Sequence, residues 1–323
     1  MASLLSVENL QVQFHTKKGL NTAVDGVGFT IEKGRILGIV GESGCGKSVT
    51  SMSILQLLGT NAVISGGSIK LDGRELIGLS EKEMCGIRGN DIAMIFQDPM
   101  TALNPTLTIG RQLMEPLMLH QGCSRNEAFR KAVEMLDRVG IAAPEKRMKE
   151  YPHQLSGGMR QRVMIAMAVS CAPRLLIADE PTTALDVTIQ AQILELMCEL
   201  REKMGTAIML ITHDMGVVAE TADDVLVLYA GKVVEYGSSE EIFEHPKHPY
   251  TRGLLNSIPK LDEDVEMLNT IEGTVPAPGQ MPDGCRFAPR CPYASERCRK
   301  EKPGMYDAGM SKVSCFQYEG DRK

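Results

Sequence analysis

The sequence predicts an α/β fold with a mainly parallel sheet, and three observations support this. A glycine-rich loop at residues 41–48 follows an apolar strand pattern and precedes a helical pattern. Further apolar strand patterns that end in polar side chains alternate with helical patterns. A last pair of strand patterns, at residues 225–229 and 232–235, surrounds Ala230 and Gly231 as in a hairpin. Alternating strand and helix units favour parallel strand neighbours.

Composition excludes several classes of protein. The chain has 323 residues, a net charge of −6 and 24% charged residues, so it lacks the basic footprint of a nucleic-acid binder and we expect no nucleic-acid partner. The first residues lack the pattern of a signal peptide, and no apolar run is long enough to span a bilayer. We therefore expect a chain that is neither secreted nor membrane-spanning.

The N-terminal region has strand patterns at residues 5–14 and 27–40, separated within the second run by a turn at Lys33 and Gly34. These patterns predict a small antiparallel sheet that leads into the strand before the glycine-rich loop. Phe14, near the end of the first pattern, could stack on a nucleotide base or could simply be buried in the core.

The loop at residues 41–48 reads G-x-x-x-x-G-K-S, which predicts a cradle for phosphate. Glycines let the backbone N–H groups converge on an anion, Lys47 would reach the β- and γ-phosphates, and the Ser48 hydroxyl would ligate Mg²⁺. The predicted nucleotide-binding set in this region is Gly41, Ser43, Gly44, Cys45, Gly46, Lys47, Ser48 and Val49.

Gln97 ends an apolar strand pattern that begins at Ile92. Its amide can touch Mg²⁺ or a water bound to it, and its position at a strand-to-loop junction suggests a hinge. The following region, from Thr108 to Glu150, has helical periodicity with stops at Gly140 and Pro144. We expect a helical insert at about residues 98–150.

A second anion-binding helix start is predicted at Ser156, Gly157 and Gly158. Ser156 is a good N-cap residue, and the two glycines allow backbone N–H groups to approach a ligand. Two phosphate-binding elements on one chain suggest that a ligand is shared between chains.

Two more strand patterns end in side chains that suit phosphate chemistry. The strand pattern at residues 175–179 ends in Asp179, which could hold Mg²⁺ through its water shell, and Glu180, which could act as general base. The pattern at residues 207–212 is followed by His213, which could bind a γ-phosphate and orient the attacking water. These positions predict Glu180, His213 and Gln97 as the catalytic group.

Together these motifs resemble those of the ATP-binding-cassette (ABC) ATPases, in order, over residues 4 to about 240. The resemblance implies a P-loop NTPase cassette that uses ATP and Mg²⁺, with a mainly parallel core sheet, an antiparallel β subdomain and a helical subdomain. The Walker A loop, Q-loop, signature, Walker B, D-loop and H-loop of the family correspond to residues 41–48, Gln97, residues 155–159, 175–180 and 184–186, and His213. The resemblance adds Asp186 to the nucleotide-binding residues. Met159 stands where the family signature usually has Gln, but Ser156, Gly157 and Gly158 are retained.

A closer resemblance is to the ATPases of oligopeptide, dipeptide and nickel importers. It depends on residues 97–105 and on residues 248–255, H-P-Y-T-R-G-L-L. The resemblance implies a cassette at residues 1–240 and an extension at residues 241–323. It also implies the cytoplasmic face of the inner membrane, with a second homologous ATPase as heterodimer partner, two transmembrane permease subunits and, indirectly, an extracytoplasmic substrate-binding protein.

The extension contains four of the nine cysteines within 31 residues, Cys285, Cys291, Cys298 and Cys315. Clustered cysteines in a reducing compartment suggest a metal more than disulfides. Their spacing lacks the C-x-x-C pairs of zinc ribbons and, with the family likeness, favours an iron–sulfur cluster over zinc. Resemblance to the peptide-importer group implies that these four residues are the ligands of a [4Fe–4S] cluster.

Competing functions remain open at this level. A soluble cassette protein that acts on DNA or ribosomes shares these motifs, but the chain has one cassette and no heptad run. An exporter ATPase is disfavoured by the extension. The cargo, whether dipeptide, longer peptide, glutathione-like peptide or nickel complex, is selected by other chains and is not encoded here.

Overall fold

The computed structural model describes residues 3–17, 19–98, 102–182, 187–257, 271–277 and 279–320. The strands are β1 (Ser3–Thr16), β2 (Gly19–Glu32), β3 (Ile36–Val40), β4 (Ala62–Leu71), β5 (Arg74–Glu75), β6 (Ile92–Ile95), β7 (Leu175–Asp179), β8 (Ala207–Ile211), β9 (Asp224–Tyr229), β10 (Lys232–Ser238), β11 (Tyr306–Ala308) and β12 (Ser311–Val313). The helices are α1 (Lys47–Ile54), α2 (Glu81–Ile87), α3 (Ile109–Gln121), α4 (Arg125–Arg138), α5 (Pro144–Arg147), α6 (Gly157–Val169), α7 (Val187–Met204), α8 (Met215–Thr221), α9 (Ser239–Glu244), α10 (Pro249–Asn256) and α11 (Glu296–Lys300).

The chain forms two compact units that interleave in sequence. Unit 1 comprises described residues within 1–4, 32–35 and 78–210, and unit 2 comprises those within 5–31, 36–77 and 211–323. Unit 2 therefore contains the glycine-rich loop and the four clustered cysteines, and unit 1 contains the helical insert.

Unit 2 has an antiparallel sheet in the order β2-β1-β4-β5. Strand β1 pairs with β4 so that Leu5 faces Leu71 and Val7 faces Ile69. These residues are buried, as the alternating pattern predicts. The predicted antiparallel sheet before the glycine-rich loop is confirmed.

The other sheet of unit 2 has the order β11-β12-β10-β9-β3. Strand β3 runs parallel to β9, while β10 pairs antiparallel with β9 and β12. The β9–β10 turn has positive φ at both central residues, 47° at Ala230 and 81° at Gly231, as a type I′ hairpin requires. The predicted hairpin is confirmed, and the extension of the chain continues the same sheet through β12 and β11.

The core of unit 2 contains an aromatic group formed by Tyr229, Tyr250 and Phe287. Each ring is buried, and the centroids lie 4.7–5.4 Å apart. Tyr229 comes from β9, Tyr250 from α10 and Phe287 from the segment with the clustered cysteines. That segment has few apolar residues of its own, so it shares the core that the cassette strands provide.

Unit 1 contains β6 and β7 as parallel neighbours, with β8 beside β7. Residues of these three strands are buried throughout, which explains their continuous apolar patterns. Helix α3 begins at the N-cap Thr108 and ends at Gly122 in the left-handed conformation, and α4 begins with a capping box formed by Ser124 and Glu127. The helical periodicity predicted from Thr108 to Glu150 is confirmed.

Across the described part of the chain, no helix combines the length and the apolar character that crossing a bilayer requires.

Candidate nucleotide-binding site

The glycine-rich loop connects the buried strand β3 to helix α1 in unit 2. Gly41 has a φ of 150°, and a Cβ atom at this position would lie 2.2 Å from the carbonyl oxygen of Leu228. Gly44 has a φ of 78°, and a Cβ atom added there would meet no other atom within 4 Å. Close packing requires glycine at residue 41 and backbone conformation favours it at residue 44, so the loop can bring its N–H groups inward.

Lys47 lies inside this loop and is buried. Its Nζ donates to the carbonyl oxygens of Gly41 at 2.6 Å and Glu42 at 3.2 Å. The Cys45 thiol lies 3.8 Å from the same nitrogen, and burial raises the pKa of that thiol. The cation of Lys47 is thus held at the centre of the loop, beside a neutral thiol.

Helix α1 begins without a side-chain cap, since its N-cap is Gly46. The first N–H groups of a helix have no partner within the helix, and they suit an anion. Ser43, Gly44 and Ser48 are exposed at this end, and Val49 is partly buried. The loop therefore fits a phosphate chain, and the Ser48 hydroxyl offers the kind of oxygen ligand that Mg²⁺ prefers.

Phe14 and His213 belong to the same unit as the loop. Phe14 is partly buried on β1, opposite Ala62 of β4. Thr212 donates its backbone N–H to the carbonyl of Ile39 on β3, and the exposed His213 follows. Within unit 2, His213 thus lies one residue beyond a hydrogen bond to Ile39, near the carboxyl end of β3, where the loop begins.

The predicted carboxylates and Gln97 lie together in unit 1. Asp179 is the buried last residue of β7, and Glu180 follows it with a φ of 49°. Gln97 lies two residues beyond the neighbouring strand β6, and its Nε2 donates to Oε2 of Glu180 at 3.0 Å. A left-handed backbone at a non-glycine residue is strained and is often found at functional sites.

The second predicted anion-binding element also forms in unit 1. Ser156 is the N-cap of α6, and its hydroxyl accepts a hydrogen bond from the N–H of Met159 at 3.3 Å. Added Cβ atoms at Gly157 and Gly158 would meet nothing within 4 Å, so both backbones face open space. The predicted D-loop at residues 184–186, which includes Asp186, lies outside the described residues, as do residue 183 and residues 99–101 after the Q-loop.

The sequence did not identify the side chains that hold Glu42 in the loop. Arg290 donates from Nη1 to Oε2 of Glu42 at 2.6 Å and from Nη2 to Oε1 at 3.1 Å. The backbone N–H of Glu42 donates to the Tyr250 hydroxyl at 2.9 Å. The only signal in the sequence was the position of Arg290 directly before Cys291.

The predicted metal centre in the extension is not confirmed. Among the residues that the structure describes, no three or more His, Cys, Asp or Glu side chains form a group that could hold a metal ion. The [4Fe–4S] ligand set predicted for Cys285, Cys291, Cys298 and Cys315 therefore has no preformed metal site. Nevertheless, all four residues line one cavity of about 190 Å³. Burial raises the pKa of the thiols of Cys285, Cys291 and Cys315.

Comparisons with known proteins agree with this geometry. Residues 24–183 match the family model described as ABC transporter, and residues 234–298 match the model described as Oligopeptide/dipeptide transporter, C-terminal region. The dimeric structure of a post-hydrolysis state of the ATP-binding cassette MJ0796 bound to ADP and Pi is similar, with a TM-score of 0.66 and 29% identity. That similarity covers 73% of this chain and 98% of that chain.

Similarity to curated proteins extends over nearly the whole chain. The chain is 55% identical to the oligopeptide transport ATP-binding protein AppD of Bacillus subtilis, over 99% of this chain and 98% of that protein. It is also 55% identical to the oligopeptide transport ATP-binding protein OppD of Salmonella typhimurium, over 93% of this chain and 89% of that protein. The predicted family and fold class are confirmed. The chain is an ABC-type ATPase and belongs to the ABC transporter family, in the group of oligopeptide transport ATP-binding proteins.

Proposed function

We propose that this chain is the ATP-hydrolysing subunit of a membrane importer for di- and oligopeptides. The observation that carries the proposal is the similarity to oligopeptide transport ATP-binding proteins over almost the full length, including the C-terminal region at residues 234–298. A nickel or metal-chelate importer and a soluble non-transport ABC protein are the alternatives. The names of these relatives favour peptides over both.

The roles of the site residues follow from their chemistry. Lys47 and the N–H groups of its loop bind the phosphates of ATP, and Phe14 stacks on the base. Glu180 accepts a proton from the attacking water, His213 binds the γ-phosphate, and Gln97 holds Glu180 in place. Within its own unit, the Ser48 hydroxyl would offer an oxygen ligand to Mg²⁺, and Gln97 and Asp179 would each offer an oxygen to Mg²⁺ or to a water bound to it; the metal would supply positive charge to the phosphate oxygens.

We also propose that two ATPase subunits share their nucleotides. The open N-terminus of α6, with Ser156, Gly157 and Gly158, suits the γ-phosphate bound by the loop of a second, homologous ATPase. Asp186 completes this contact. Because each active site then needs both chains, ATP binding closes the pair and hydrolysis reopens it.

The permease subunits dock, in this proposal, on the helical insert of unit 1. A cavity of about 870 Å³ lies along α3 and α4, with the apolar side chains of Met118, Leu119 and Phe129 at its surface. Arg111, Glu115 and Arg125 also line it. An apolar groove with a charged rim suits an amphipathic segment of a partner protein. The chain would thus be peripheral at the cytoplasmic face of the inner membrane, and two permease subunits would link it indirectly to an extracytoplasmic substrate-binding protein.

The cysteine cavity is proposed to hold a [4Fe–4S] cluster. The four cysteines would hold such a cluster through their thiolates, one ligand from each residue. The cavity of about 190 Å³, lined by all four cysteines, has room for a group of several atoms. The thiols must lose their protons to bind a metal. Burial raises the pKa of the Cys285 and Cys315 thiols, so deprotonation is unfavourable unless the positive charge of a metal compensates for it.

Transport by the reconstituted complex tests the proposed function. The chain would be coexpressed with its partner ATPase and two permease subunits, and ATP-dependent uptake into proteoliposomes would be measured for a dipeptide, a hexapeptide and chelated Ni²⁺. We expect peptide uptake, and a complex with Glu180→Gln serves as the inactive control. Uptake of nickel alone, or failure to associate with any permease subunit, would contradict the proposal.

A further inference from the structure

All three guanidinium nitrogens of Arg290 donate hydrogen bonds inside unit 2. Its guanidinium meets both carboxylate oxygens of Glu42, at 2.6 and 3.1 Å. Its remaining donors reach the Tyr229 hydroxyl at 3.4 Å and the carbonyls of Ile271 at 3.1 Å and Glu272 at 2.9 Å. The side chain is only 4% exposed. A buried fork-shaped cation with its donors satisfied holds its partner in one orientation.

The partner, Glu42, is part of the phosphate-binding loop and is held at three points. Arg290 binds its carboxylate, the Tyr250 hydroxyl accepts its backbone N–H at 2.9 Å, and Nζ of Lys47 donates to its carbonyl at 3.2 Å. Lys47 is the residue whose charge meets the phosphates. A shift of Glu42 would therefore move both the loop backbone and its cation.

A second arginine links the same segment to the other side of the loop. Arg286 donates to the carboxylate of Asp25 at 2.6 Å and to the carbonyl of Ala230. The backbone N–H of Asp25 donates to the carbonyl of Gly231 at 2.9 Å, and the N–H of Gly231 donates to the carbonyl of Cys45 at 2.8 Å. Arg286 follows Cys285 and Arg290 precedes Cys291, so two cysteines of the cavity each adjoin an arginine directed to the loop.

We propose that Arg290 is a positioning residue of the ATP site, which holds the phosphate-binding loop in its nucleotide-binding conformation through Glu42. The cysteine segment then affects ATP affinity, because Arg286 and Arg290 directly adjoin Cys285 and Cys291, two of the cysteines that line the cavity. The physical reason is preorganisation: a loop that is already ordered loses less conformational freedom when it binds phosphate. This inference depends on nucleotide binding by the loop and not on the proposed peptide cargo.

The test is a double-mutant cycle on nucleotide affinity. Kd for Mg·ADP would be measured for the wild type, Arg290→Met, Glu42→Gln and the double variant, with amide hydrogen exchange at residues 41–47 as a second measurement. We expect each single change to raise Kd about tenfold and to speed exchange in the loop. The Kd of the double variant should be no higher than the higher Kd of the two single variants, because both changes remove the same interaction.

Two further variants separate positioning from general destabilisation. Arg297→Met is the matched control, since Arg297 lies in the same segment but binds Glu301 and Glu319, and it should leave Kd unchanged. Cys291→Ser should raise Kd by a similar factor, with no additional effect in the Arg290→Met background. Three results would each overturn the inference. They are a wild-type Kd in both Arg290→Met and Glu42→Gln, additive increases of the binding free energy in the double variant, and unchanged hydrogen exchange in the loop. If the wild type itself failed to bind Mg·ADP, the site assignment would fail instead.

Discussion

Gln97 donates a hydrogen bond to Glu180 at 3.0 Å within unit 1, although the two residues are 83 positions apart. Each follows the carboxyl end of one of two parallel neighbours, β6 and β7. Glu180 also has a φ of 49°, in the left-handed region. The hydrogen bond and the strained backbone restrict the direction of one carboxylate, which the proposed role of Glu180 as general base would require.

This relationship leads to a prediction for Glu180→Gln. The amide keeps the shape of the side chain but cannot accept a proton from water, so ATP hydrolysis should fall by about 10²-fold or more. The Kd for Mg·ATP should change little, and ATP should remain trapped between paired ATPase subunits. Steady-state hydrolysis and equilibrium binding would be measured with the natural partners present. Glu195→Gln, an exposed change in the same unit, is the control, and near wild-type turnover by Glu180→Gln would exclude Glu180 as the base.

Lys47→Ala should act on binding itself. The variant loses a cation that the loop holds at its centre, and hydrogen bonds to a charged group contribute about 1.5–3 kcal/mol. We expect Kd for Mg·ATP to rise about 10- to 100-fold, measured by calorimetry or with a fluorescent nucleotide. Lys203→Ala, which removes an exposed lysine paired with Glu199, should have no such effect. Unchanged affinity in Lys47→Ala would count against the phosphate cradle.

The docking groove can be tested at Leu119, which is 70% exposed at its edge. Leu119→Glu places a charge on an apolar contact, so copurification with the permease subunits should be lost while Mg·ADP binding is retained. Met310→Glu is the matched control, because Met310 is 80% exposed in unit 2, between β11 and β12. If Leu119→Glu still copurified with the permease subunits, or if crosslinks from the permeases were confined to the cysteine segment, the proposed docking surface would be wrong.

The cluster prediction concerns metal content. Protein purified without oxygen should be brown and contain about four irons per chain, and the colour should fade in air. Cys291→Ser should lower the iron content and destabilise residues 279–320, because it removes one of four ligands. Cys85→Ser, at an exposed cysteine outside the cavity, should retain full iron content. Stoichiometric zinc in place of iron would contradict the cluster.

Much of the fold and of the candidate site could be predicted from the sequence because the signals are local. The phosphate-binding loop depends on glycines within a few residues of one another, and the start of α6 depends on the N-cap Ser156. Continuous apolar runs identified β6, β7 and β8, and polar residues at their ends identified Gln97, Asp179 and His213. Each of these features is encoded by contiguous residues, so its pattern is visible before the chain folds.

Tertiary structure alone decided how the extension joins the cassette. Glu235 of β10 pairs with Val313 of β12, 78 positions later, and Arg290 binds Glu42 across 248 positions. No local pattern specifies such partners, because a charged residue beside a cysteine has the same sequence signature whether it faces solvent or a buried carboxylate. The four cysteines could be recognised as a group from their spacing. That their segment shares the core of unit 2 and supports the phosphate-binding loop follows only from the packing of Phe287 against Tyr229 and Tyr250, which brings Arg290 to Glu42.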